Sequence, residues 1–160
     1  MHNIPLGGLH IASALLALLL GALVLMRRKG TGIHRIIGYG YVLSMLSLNA
    51  SALALYHLTG HFGPFHALAL VSLGTVLIGV SAPVFRRHGW LTTHYRSMAW
   101  SYIGLVAAAC AEAMVRVPLF QIRTAGGAIV VGVAIAFAFT VIGIVLIPRL
   151  QRAAMKLQIS

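Results

Sequence analysis

The chain has 160 residues, with 12 Lys or Arg, a single acidic residue, and a net charge of +11 with its 8 histidines neutral. Hydrophobic residues make up 60% and the mean hydropathy is +0.96, whereas soluble domains are about half apolar and about a quarter charged. Too little polarity remains to cover a soluble globule, and far too much hydrophobicity for a disordered chain, so the composition specifies an integral membrane protein.

Five apolar stretches reach the roughly 20 residues that cross a bilayer as a helix. They run over about 5–26, 34–57, 66–85, 95–116 and 126–148. Lipid offers no partner to an unpaired backbone group, so the predicted fold is all-α. Arg27, Arg28, Lys29 and Gly30 close the first stretch, and Gly60 to Pro64 separates the second from the third. Arg86 to Trp90 closes the third, Pro118 follows the fourth, and Pro148 with Arg149 ends the fifth. The basic tail 149–160 reads either as a short amphipathic helix along the inner leaflet or as a frayed end.

The positive charge is distributed as membrane topology requires. Arg27, Arg28, Lys29, Arg35, Arg86, Arg87, Arg96, Arg149, Arg152 and Lys156 fall on one side, and Arg116 and Arg123 on the other. The positive-inside rule then places the N-terminus outside and the C-terminus in the cytoplasm. Short cationic groups between apolar runs do not make a nucleic-acid face, so nucleic acid is excluded as a partner. Met1 to Pro5 lacks the basic lead of a cleaved signal, so the first stretch is expected to remain as a span. The one cysteine, Cys110, can form no intrachain disulfide.

The first two stretches resemble the next two. His10 opens an apolar run that ends at Arg27-Arg28, followed by Gly30 and His34. His66 opens one that ends at Arg86-Arg87, followed by Gly89 and His94. The expected architecture is a four-helix core built as a parallel repeat of two hairpins, about 5–57 and 62–116, with 126–148 flanking it.

Histidine is costly in hydrocarbon and is a functional candidate there. The repeat equates His10 with His66 and His34 with His94, which predicts two facing pairs at two depths. That pattern suits two bis-histidine b-type haems, each iron held between diagonal helices. Small residues (Ser13, Ala14, Ala17, Gly21, Gly38 and Gly74) would admit the macrocycle, and Arg35 and Arg96 would hold propionates. The ligand pattern looks like that of the ascorbate-reducible di-haem b-type cytochromes, which implies electron transfer across the membrane with a quinone or a redox protein as partner. Two alternatives stay open. His10, His57, His61 and His66 could converge with Glu112 on zinc in a metal-dependent enzyme. The histidines could equally be helix-end hydrogen-bonding groups in a cofactor-free subunit of a larger membrane complex or homo-oligomer.

Glu112 is the lone acid. Arg116 follows at i+4, the favourable order for a helical ion pair, and a proton relay is the functional alternative. Tyr39, Tyr41, Tyr95, Tyr102, Trp90 and Trp100 read as interfacial aromatics, and Asn49 and Ser51 as glue between helices.

Three segments carry a family resemblance: residues 29–39, reading K-G-T-G-I-H-R-I-I-G-Y; residues 62–66, F-G-P-F-H; and residues 94–105, H-Y-R-S-M-A-W-S-Y-I-G-L. They resemble a family of predicted bacterial membrane proteins, the domain of unknown function 2306, over roughly residues 8–117. The resemblance implies a small multi-span protein of the bacterial cytoplasmic membrane. Its motif positions here include His10, His34, Arg35, His66, His94, Glu112 and Arg116. It implies no activity, and the fifth stretch falls outside it.

Overall fold

The structure, a computed structural model, describes residues 4–55, 63–116 and 124–156. Five helices follow in order: α1 (Ile4–Met26), α2 (Gly32–Ala54), α3 (Pro64–Phe85), α4 (Trp90–Arg116) and α5 (Ala125–Lys156). No strand occurs among the described residues. All five helices are long and apolar enough to span a bilayer, with candidate spans of 21 to 28 residues. Leu15, Leu43 and Phe137 are 62%, 67% and 70% exposed. Such side chains belong against lipid, where apolar exposure costs nothing.

Several helix ends differ from the hydropathy boundaries, each for a local reason. Helix α3 starts at Pro64, two residues earlier than expected, because proline is pre-organised for the first helical position. Helix α4 starts at Trp90, five residues early, straight after Gly89, which takes a left-handed φ of 73° that its lack of Cβ permits. Gly30 ends the turn before α2 in the same way, with φ 79°. Arg86 adopts a left-handed φ of 45° without that freedom, and its N–H bonds to Ala82 O at 3.0 Å to close α3. Pro148 was expected to end the fifth helix, yet α5 runs on to Lys156. Proline removes one helical donor, and the remaining bonds carry the helix onward. The basic tail is therefore a continuation of α5, described as far as residue 156.

Chain contacts divide the protein into two units, residues 1–76 and 77–160, with the boundary inside α3. In the first unit α1 and α2 form a close antiparallel hairpin. Its register is fixed by His10 against Ser51, Ser13 against Ser47, and a close approach of Leu20 to Gly40, where a Cβ would lie 3.0 Å from the leucine methyl. Ala17, Tyr41, Met45 and Val76 are buried in this unit. Tyr41, expected among interfacial aromatics, is thus a core residue, whereas Tyr39 is exposed.

In the second unit α4 packs on α5. Gly143 of α5 receives the Trp100 indole so closely that a Cβ there would stand 2.6 Å from two ring carbons. One end of this pair is tied by Gln151 Nε2 donating to Thr92 Oγ1 at 3.2 Å. Leu105, Ala107, Ala111 and Ile147 are buried here. The fifth helix is therefore a packing partner of α4.

Candidate histidine sites

Thr31 caps α2: its side chain accepts the backbone N–H of His34 at 3.2 Å and its hydroxyl donates to Arg28 O at 3.0 Å. His34 is the third residue of α2, His66 the third of α3, His94 the fifth of α4 and His10 the seventh of α1. All four stand in the first two turns of their helices, as the sequence pattern required. At His10, His66 and His94 the group facing Nδ1 assigns which ring nitrogen carries the proton in the neutral form.

His94 Nδ1 lies 2.7 Å from the carbonyl oxygen of Gly79. A carbonyl only accepts, so Nδ1 carries the hydrogen and Nε2 carries the lone pair. His10 Nδ1 lies 3.0 Å from Ser51 Oγ, and Ser51 spends its one hydroxyl proton on Leu48 O at 2.8 Å. Ser51 must therefore accept from His10, which again leaves the lone pair on Nε2. This is the arrangement in which metal-bound histidines are held: Nδ1–H tied to an acceptor, Nε2 presented to the metal.

His66 is bonded the other way. Its Nδ1 accepts the Gly63 N–H at 3.2 Å, while its own backbone N–H donates to Gly63 O at 3.0 Å. Gly63 is the N-cap, Pro64 the first helical residue and His66 the third, so His66 fills the role of the reaching-back side chain in a capping box. The neutral ring then carries its hydrogen on Nε2. His66 is also buried, at 7% exposure. The Nδ1 atom of His34 is buried as well.

Arg35 and Arg96 are both exposed, adjacent to His34 and two residues beyond His94. Glu112 stands sixteen residues from Arg96 on the same helix, about 24 Å along its axis. Glu112 is exposed on α4, and the Arg116 side chain, its expected ion-pair partner, lies outside the described residues. His57 and His61, required by the zinc reading, also lie outside them. No group of three or more His, Cys, Asp or Glu side chains suited to a metal ion occurs among the described residues.

The polar residues of α2 divide in two. Asn49, expected to bond between helices, instead donates to Met45 O at 2.8 Å on its own helix, and Ser44 does the same to Gly40 O. Ser51 and Ser47 reach α1. Ser47, Gly79 and Gly143 were not legible as site or packing residues, because each acquires its meaning from a partner on another helix. The spacing of small residues was the only signal in the sequence.

Lys29 lies at the opposite end of the hairpin, in the turn between α1 and α2. Its ammonium donates to Val24 O at 3.0 Å and Leu25 O at 2.8 Å, satisfying two carbonyls at the end of α1. Burial holds its pKa below the usual lysine value.

A family model described as a predicted membrane protein, the domain of unknown function 2306, matches residues 7–150. That match takes in most of α5, so the family likeness extends past residue 117 and includes the fifth helix. No curated protein and no solved structure matches the chain.

Proposed function

The chain belongs to the domain of unknown function 2306 family of predicted membrane proteins, and from that premise we propose that it carries electrons across a bilayer on b-type haem. The candidate ligands are His10, His34, His66 and His94. One observation supports the reading above the others: Gly79 O fixes the Nδ1 proton of His94 and leaves Nε2 as the basic nitrogen. His10 is prepared alike through Ser51. When bound, a bis-histidine haem exchanges single electrons without needing an open coordination position. The protein's part is to fix the rings and their tautomers, and to offer the Arg35 and Arg96 guanidinium groups to propionates. The distribution of cations supports a bacterial cytoplasmic membrane with the N-terminus outside and the C-terminus inside.

A specific observation favours a second reading. His66 serves α3 as a cap, with its lone pair already directed to the Gly63 N–H. Ligation through His66 Nε2 requires the proton to move to Nδ1 and that bond to be given up. A cofactor-free helical subunit of a larger membrane complex needs no such change. The visible spectrum of the full chain purified in detergent separates the two. Electron transfer on haem requires a Soret band that shifts on reduction and is lost in His94→Ala and His10→Ala. A folded, colourless protein that stays colourless when haem is supplied overturns it in favour of the subunit.

A further inference from the structure

Beyond the histidines, the second unit holds a cleft of about 260 Å³ lined by Arg96, Trp100, Gly143, Ile144, Ile147 and Pro148. It opens between α4 and α5, near the end where Gln151 meets Thr92. We propose that this cleft binds the headgroup region of an anionic glycerophospholipid. The inference shares Arg96 with the haem reading but does not require haem to be bound.

Charge is the first argument. Arg86, Arg87, Arg96, Arg149 and Arg152 are all exposed at this end of the unit. The start of α4 brings Arg86, Arg87 and Arg96 there, and the Gln151–Thr92 bond brings Arg149 and Arg152 alongside. The only carboxylate side chain of the protein, Glu112, is sixteen residues from Arg96 on the same helix, about 24 Å along its axis. Five guanidinium groups are thus gathered with no side-chain carboxylate to neutralise them, so the complementary anion comes from outside the chain. Basic pockets between membrane helices select anionic headgroups for this reason.

Shape and polarity give the second. Ile144, Ile147 and the Trp100 indole make an apolar wall, and Arg96 stands as the cation at the same cleft. Pro148 has no N–H to give to the Ile144 carbonyl, so the helix leaves a polar acceptor among the lining residues. The Pro148 carbonyl itself accepts from Arg152 Nε at 3.2 Å, which holds a second guanidinium beside the cleft. An amphiphile with a phosphate at one end and acyl chains at the other matches this pairing. The volume is just below the roughly 300–1,000 Å³ of small-molecule pockets, enough for a headgroup but not for a whole lipid.

Trp100 is the natural reporter. The full chain carrying Trp90→Phe, so that Trp100 is the only tryptophan, is placed in lipid nanodiscs containing brominated phosphatidylglycerol or brominated phosphatidylcholine at equal mole fraction. The expected result is quenching of Trp100 by the anionic lipid with about fivefold apparent preference. Arg96→Gln should abolish that preference, and Arg96→Lys should keep part of it. In the unmutated cleft the preference should also fall as salt rises from about 0.05 to about 0.5 M, which needs no cleft variant to fold. Equal quenching by the two lipids overturns the proposal, as does a preference that survives both Arg96→Gln and high salt. Loss of the preference on adding inorganic phosphate at constant ionic strength would also overturn it, identifying a free anion as the occupant.

Discussion

His94 Nδ1 donates to the carbonyl of Gly79 across 2.7 Å, joining the second turn of α4 to the body of α3. Because the acceptor is backbone, no substitution at residue 79 can delete it; only displacement of the helix can. The tautomer of His94 is therefore set by helix packing. Gly79 itself is held close to α4, since a Cβ there would stand 2.5 Å from Met98 Sδ and 3.0 Å from Met98 Cγ.

Gly79→Ala and Gly143→Ala form a matched pair. The alanine methyl meets a flexible thioether at residue 79 and a rigid indole at residue 143. Overpacking costs about 1–3 kcal/mol where neighbours cannot yield. Gly143→Ala should fall near the upper end and Gly79→Ala near or below the lower one, measured by denaturant unfolding in detergent micelles. Adding Trp100→Leu should recover most of the loss in Gly143→Ala and none in Gly79→Ala.

Residue 66 distinguishes a cap from a ligand. His66→Gln places a side-chain acceptor where a capping box accepts one, whereas His66→Ala removes it. Stability should fall by about 1 kcal/mol in the alanine variant and be largely retained in the glutamine variant. Any haem bound through residue 66 should be lost in both, so unfolding and absorbance measured on the same samples give separate answers for the two roles.

Ser51→Ala removes the acceptor that fixes the His10 ring. Interhelical side-chain bonds in membranes contribute about 0.6–1.7 kcal/mol. A destabilisation in that range is expected, with α1 and α2 separating earlier as read by a fluorophore pair on the two helices. Ser51→Thr keeps the hydroxyl and should restore the contact. An equal loss in both variants would show that packing, not the hydrogen bond, matters at this position.

Lys29 supplies a pH test outside the spans. Burial lowers its folded pKa below the usual value near 10.4, so between the two values the unfolded chain binds more protons than the folded one. Stability should therefore rise with pH across that alkaline window, as the buried charge is relieved. Below the folded pKa the penalty is fully present. Lys29→Met should flatten this rise in detergent unfolding curves, while also losing the two carbonyl contacts at the end of α1.

Arg86 pays for a left-handed backbone with a side chain, at φ 45°. Glycine tolerates that conformation, and other residues lose roughly 1–2 kcal/mol there. Arg86→Gly should raise stability by about 1 kcal/mol, offset in part by losing the guanidinium that stands 6.0 Å from the Trp90 ring centroid. Thermal unfolding of the variant beside Arg86→Ala separates backbone relief from loss of the cation.

The helix count and order were legible because bilayer thickness sets a minimum run of apolar residues and Arg-Arg, Gly and Pro interrupt it. The ends were less so. Hydropathy places the start of α4 near Tyr95, but its first turn contains Thr92, a polar residue that is helical and bonded to Gln151. At the other extreme, hydropathy stops where Pro148 and Arg149 begin, although backbone hydrogen bonding continues to Lys156. The four candidate histidines were marked in the sequence by their shared positions near helix starts. Which nitrogen His10 and His94 present was hidden, because Ser51 lies 41 residues from His10 and Gly79 lies 15 from His94. Only tertiary register makes those pairs.

The serine and histidine contacts between α1 and α2 also bear on how the chain enters the bilayer. Helix α2 carries Ser44, Ser47, Asn49 and Ser51 within two turns or so, and two of these, Ser47 and Ser51, also bond to side chains of α1. Threaded singly into hydrocarbon, α1 and α2 would forgo the His10–Ser51 and Ser13–Ser47 contacts, at a cost in the insertion step. Delivered together, the two helices satisfy each other as they leave the translocation machinery. The hairpin, not the single helix, is the natural unit of insertion at the start of this protein.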